Sequence, residues 1–148
     1  IFPKVDLKRK FFKLLRISWP LLVIILAALV FFYPVWLRSF VPLPADFVVG
    51  VYYPWLDYKW GFPTGVPVKN PMTTDVVSFT YPMQMLAIDL LKSGQLPLWN
   101  PYILAGTPLL ANFQSAPFSL TNFVYFIFDR LTAWSAQVIL QHILAAFF

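Results

Sequence analysis

The longest apolar run in the chain extends from Ile17 to Leu37, 21 residues without a charge. At 1.5 Å per residue a helix of that length covers roughly 30 Å, the thickness of a bilayer's hydrocarbon layer, so the pattern predicts a transmembrane helix over 17–37. Pro20 falls in its first turn, where a missing N–H costs little, and Pro34 is placed to kink the helix or mark its exit. A second apolar run, Thr132 to Phe148, predicts the start of another span, truncated at 132–148. Gln137, Gln141 and His142 are spaced to share one face of it and are expected to turn toward a bundle interior.

Between these runs the pattern changes. Residues 38–131 hold eleven of the 14 prolines and all five glycines, so helices there must be short. Tyr81 to Lys92 is mostly apolar, with Gln84, Asp89 and Lys92 on a limited stripe and Ser93-Gly94 as a stop, which predicts a surface helix within about 75–93. Phe118 to Phe128 predicts another short segment within about 117–129, closed by Asp129 and Arg130. Trp55, Tyr58, Trp60 and Trp99 suit an aromatic belt at lipid headgroups, or a platform on which a sugar stacks.

Composition strengthens the membrane reading. The chain is 59% hydrophobic and only 11% charged, where soluble chains carry about a quarter charged residues. The net charge of +5 does not point to nucleic acid, because Lys4, Lys8, Arg9, Lys10, Lys13 and Arg16 all precede the first apolar run. That placement predicts a cytoplasmic amino-terminal segment over 1–16 and an extracytoplasmic loop over 38–131. The expected fold class is thus an all-α membrane protein, and the expected location is integral to the cytoplasmic membrane of a prokaryote. Ile1 and Phe148 look like limits within a longer chain. With no cysteine, disulfides and thiolate metal sites are excluded.

No phosphate-binding loop, dinucleotide fingerprint or zinc motif occurs, so no cofactor or metal is expected. The lone His142 suits a hydrogen bond inside a bundle better than a ligand or base. All acidic side chains are Asp. Asp75 has two readings: with Thr73 and Thr74 it suits a helix cap, and it also suits a general base. Arg38, Lys69, Lys92 and Arg130 are the cations available to hold a phosphate.

Asp75, Tyr81-Pro82, Ser93 through Tyr102 (SGQLPLWNPY), Gly106-Thr107-Pro108-Leu109 and Ala111 through Pro117 (ANFQSAP) form an ordered series. The series resembles the first outer loop of YfhO-type membrane proteins, which are similar to the GT-C glycosyltransferase superfamily; the likeness covers about residues 70–145. It implies the amino-terminal part of a GT-C-like helical bundle, a polyprenyl-phosphate sugar as donor, and inverting transfer to an extracytoplasmic acceptor. By the same resemblance Asp75 is the base, with Asp46 as fallback, although Val76 stands where an acidic neighbour is often found. Tyr102, Asn112 and Gln114 would line the sugar cavity, although Trp99-Asn100-Pro101 and Asn112 suit better the role of turn formers that fix the loop. On charge grounds Lys92 and Arg38 are the cations that would meet the donor phosphate. The implied partners are the lipid bilayer, the lipid-linked sugar and other membrane subunits. The competing expectations are a non-catalytic membrane scaffold, in which Asp75 only caps a helix, and a transporter.

Overall fold

The computed structural model describes the backbone from residue 7 and side chains from residue 18. The basic side chains of segment 1–16 therefore lie outside the described residues. Among the described residues the helices are α1 Leu7–Phe31, α2 Tyr33–Arg38, α3 Asp46–Val51, α4 Tyr81–Lys92 and α5 Arg130–Phe147. Shorter 3₁₀ turns cover Trp55–Gly61, Pro71–Thr73 and Leu120–Phe126, and a π-helical turn covers Val76–Thr80. Two short strands, β1 Trp99–Asn100 and β2 Thr107–Pro108, pair antiparallel with Trp99 opposite Pro108.

This architecture corrects the expected all-α membrane fold. Among the described residues no helix is long and apolar enough to cross a membrane. The 17–37 run is not one helix, because α1 stops at Phe31 and α2 begins at Tyr33. Pro34 accounts for the break: it has no N–H to offer Val30, and its ring crowds that carbonyl. The uncharged part of α1, Ile17 to Phe31, is then only about 22 Å long. The second run forms α5, in which Arg130, Gln137, Gln141 and His142 dilute the apolar surface. Transmembrane helices at 17–37 and 132–148 are overturned on this ground, and with them the GT-C-like membrane bundle and the integral-membrane location.

α4 carries the core. Met85 and Ile88 pack with Val124, Tyr125 and the fully buried Ala133, while Met83 and Ala87, on another side of the same helix, pack with Leu109. A Schellman closure ends α4: Gln95 N–H donates to Leu90 O (2.8 Å) and Gly94 N–H to Leu91 O (3.0 Å), with Gly94 at φ +76°. α5 opens on Asp129, whose carboxylate accepts from the N–H groups of Leu131 (3.1 Å) and Thr132 (3.2 Å). It is tied to the chain before α3 by Trp134 Nε1, which donates to Pro42 O at 3.0 Å. An exposed ion pair, Arg130 to Asp89 at 2.8 Å, links α5 to α4; such pairs contribute at most about 1 kcal/mol.

The β1–β2 ladder folds Gly106 beneath the Trp99 indole. Gly106 has φ +102°, and a Cβ there would collide with the Trp99 ring. Gly106→Ala is accordingly expected to cost about 3 kcal/mol, backbone strain plus overpacking. Gly94→Ala, strained but free of any clash, should cost only about 1–2 kcal/mol, with both variants measured by urea titration. Equal losses would show that Trp99 yields without cost.

Thr132, through its side chain and its N–H, holds the Asp129 carboxyl below the usual carboxylate range. Its native pKa is thus depressed relative to the unfolded chain, so the cap's contribution is complete above about pH 4 and fades as pH falls through the native value. Melting curves of Asp129→Asn should lack this acid-side component; an unchanged acid profile would assign the loss to other groups.

Candidate functional site

Three amide side chains meet inside the core, one each from α4 (Gln84), the Leu120–Phe126 turn (Asn122) and α5 (Gln137), and all three are buried. An amide in apolar surroundings must find partners or destabilise the fold, and these find one another. Gln84 Nε2 donates to Asn122 Oδ1 (2.9 Å) and Gln137 Oε1 (2.8 Å). Gln137 Nε2 donates to Thr121 Oγ1 (3.2 Å) and Asn122 Oδ1 (3.1 Å). Asn122 Nδ2 in turn donates to the main-chain carbonyls of Ala116 (2.8 Å) and Pro117 (3.2 Å). Tyr125 completes the set, donating its hydroxyl to Gln137 Oε1 at 2.7 Å. Burial, with a smaller contribution from Tyr81, pushes the Tyr125 hydroxyl far above its ordinary pKa, so it stays a donor at every working pH.

Next to this network lies a cleft of about 360 Å³. Four amides (Gln84, Gln114, Gln137, Gln141), two hydroxyls (Thr80, Ser119) and the rings of Trp134 and Phe113 line it, with no charged side chain among the described residues. Trp134 is held edge-on by Tyr81, ring centres 5.1 Å apart. Phe113 stands almost fully exposed at the rim. Such a wall offers neutral donors and acceptors beside apolar ring surface. Among the described residues no three His or acidic side chains gather to hold a metal ion.

Of the catalytic and substrate-binding candidates expected from the sequence, only Gln114 enters this cleft. Asp75 is exposed, makes no side-chain cap bond and sits at the start of the π turn whose last residue is Thr80. Asp46 lies in a separate cavity of about 370 Å³ and accepts from the Lys69 N–H at 2.8 Å. Arg38 rests over the Tyr33 ring, 5.9 Å from its centre, and Lys92 is exposed in the last turn of α4. Tyr102 is exposed, its N–H held by Asn100 Oδ1 (2.9 Å). Asn112 closes a turn by accepting from the Gln114 N–H (2.7 Å) and reaches Met83 Sδ at 3.1 Å with its amide.

The expected common face of Gln137, Gln141 and His142 is divided. At about 100° per residue His142 lies roughly 140° around the helix from Gln137. It turns instead toward the break between α1 and α2, edge-on to Phe32 at 5.2 Å, with Nδ1 donating to Val138 O at 2.7 Å. Gln84, expected on the polar stripe of a surface helix, is instead buried, and Asn122 went unnoticed in the sequence; the available signal was a glutamine inside an otherwise apolar stretch of α4.

No protein-family model, no curated protein and no solved structure matches this chain.

Asn122→Ala leaves two amide donors and two carbonyls without their partner, so it should destabilise the fold by about 2–5 kcal/mol. Gln141→Ala, at the exposed rim, should stay within about 0.5 kcal/mol of the parent. Denaturant titration of both variants checks this, and similar losses would contradict the network's structural weight.

Proposed function

We propose that this chain holds the glycosyl unit in a glycosyl-transfer reaction, with the amide cleft as the sugar site and Asp75 as general base. The uncharged lining of amides, hydroxyls and two aromatic rings carries the reading. Sugar hydroxyls both donate and accept, as amides do, and the C–H face of a pyranose lies well against an aromatic ring. A pocket that is mostly apolar with a few convergent polar groups is the usual form of a small-ligand site.

Two features support Asp75. Its carboxylate makes no hydrogen bond that would occupy it, and it lies one π turn ahead of Thr80 in the cleft wall; π turns recur at functional sites. The likeness of the Ser93–Tyr102 and Ala111–Pro117 segments to YfhO-type outer loops supports a polyprenyl-phosphate sugar as donor. In the proposed step the acceptor oxygen attacks the anomeric carbon while Asp75 takes its proton. The bond from that carbon to the phosphate oxygen breaks, and its electron pair leaves with the phosphate. Phosphate is a stable leaving anion and needs no strong acid, so one base and correct orientation suffice.

Asp75→Asn is expected to lower transfer from a polyprenyl-phosphate sugar by about 10²–10⁴-fold. Its circular dichroism, melting temperature and sugar binding should match the parent. A parental transfer rate in the variant would exclude Asp75 as the base.

A further inference from the structure

We infer that Gln84 Oε1 is a fixed, unfilled acceptor in the cleft, so that the bound ligand must present a hydrogen-bond donor, a neutral hydroxyl, to this one atom. The inference rests on the sugar-cleft reading and deepens it by naming the polarity that the ligand must match.

An isolated buried amide can be turned over, exchanging its donor and acceptor ends. This trio cannot. Ala116 O and Pro117 O are main-chain carbonyls and can only accept, so the end of Asn122 facing them must be Nδ2. Asn122 Oδ1 is then an acceptor facing inward, and the ends of Gln84 and Gln137 that approach it must both be nitrogens. Gln137 Oε1 follows as the acceptor for Gln84 and Tyr125. Two peptide carbonyls thereby set the direction of every amide in the chain of bonds.

Every amide hydrogen of the trio is now spent. Asn122 uses both on carbonyls, Gln137 uses both on Thr121 and Asn122, and Gln84 uses both on Asn122 and Gln137. On the acceptor side Asn122 Oδ1 and Gln137 Oε1 each take two bonds. Gln84 Oε1 takes none. Among the described residues no wholly enclosed side-chain oxygen or nitrogen lacks a partner, so Gln84 Oε1 retains some open surface although its residue is only 4% exposed. Gln84 is a lining residue of the cleft, and we assign that open surface to the cleft side.

Gln114 and Gln141 at the cleft wall can turn either end toward a ligand, whereas Gln84 cannot. A hydroxyl satisfies Gln84 Oε1 by donating. An ether oxygen, a fluorine, a carboxylate or a phosphate oxygen at the same point would bring acceptor against acceptor, a repulsive pairing that selects against such ligands.

The experiment uses the wild-type protein labelled with ¹³C and ¹⁵N, so no variant needs to fold. Methyl glycosides of glucose, galactose and mannose are titrated while the side-chain carbonyl carbon of Gln84 and the amide groups of Gln114 and Gln141 are followed. The glycoside that binds is then compared with its monofluoro-deoxy series, in which each hydroxyl in turn keeps its size and loses its donor. The expected result is a shift of the Gln84 carbonyl carbon on binding and a single fluorinated position that weakens binding roughly tenfold and abolishes that shift. If a glycoside moves Gln114 and Gln141 but not Gln84, or every fluoro analogue binds like the parent, the acceptor assignment is overturned while the sugar cleft stands. If no glycoside moves any cleft resonance, the sugar-cleft reading fails, and the ligand assignment falls with it.

Discussion

The hydrogen bonds from Asn122 Nδ2 to the carbonyls of Ala116 and Pro117 are the constraint on which the interior of this protein depends. They convert a loop conformation into a chemical direction. Ser115 stiffens that loop, since its fully buried hydroxyl contacts the carbonyls of Leu109 (2.7 Å) and Asn112 (2.8 Å). Leu109 is itself in the core against Met83 and Ala87 of α4. The carbonyls that orient Asn122 are therefore positioned by apolar packing, and the amide network inherits its geometry from the hydrophobic core.

Burying three amides and a tyrosine together is costly unless each polar atom is matched, and a half-matched network would be worse than an apolar core. Here the matching draws on α4, the Leu120–Phe126 turn and α5 at once. No single one of these elements can satisfy its own amide. The arrangement thus couples docking of the three segments, and it leaves Gln84 Oε1 as the acceptor that the protein does not fill. Structural and recognition roles meet in one residue.

Parts of this were legible in the sequence. The Tyr81–Lys92 helix declares itself by its apolar run and its Ser93-Gly94 stop, because the Schellman closure needs a residue tolerant of positive φ. Pro34 announced a kink, but hydropathy could not show that the kink ends α1 at Phe31, which is why the 17–37 run read as a membrane span. The two-stranded ladder was not foreseen: Trp99-Asn100 and Thr107-Pro108 are too short for a period-two signal, and their pairing depends on Gly106 passing beneath Trp99. Nor was the cleft. Its walls come from residues as far apart as Thr80, Gln114 and Gln141, and nothing local in the sequence brings those positions together. The catalytic and substrate-binding candidates singled out from the sequence are mostly scattered across the surface, with Gln114 the one that reaches the cleft.

The oriented network assigns a partner to each individual amide hydrogen of the trio. Hydrogen exchange of the side-chain amides, followed by NMR on the free protein, tests it most directly. Gln84, Asn122 and Gln137 should each show two slowly exchanging amide hydrogens, with Gln114 and Gln141 exchanging rapidly. Fast exchange at Gln84 or Asn122, at the rate of Gln114, would contradict the oriented network and the assignment of the cleft built upon it.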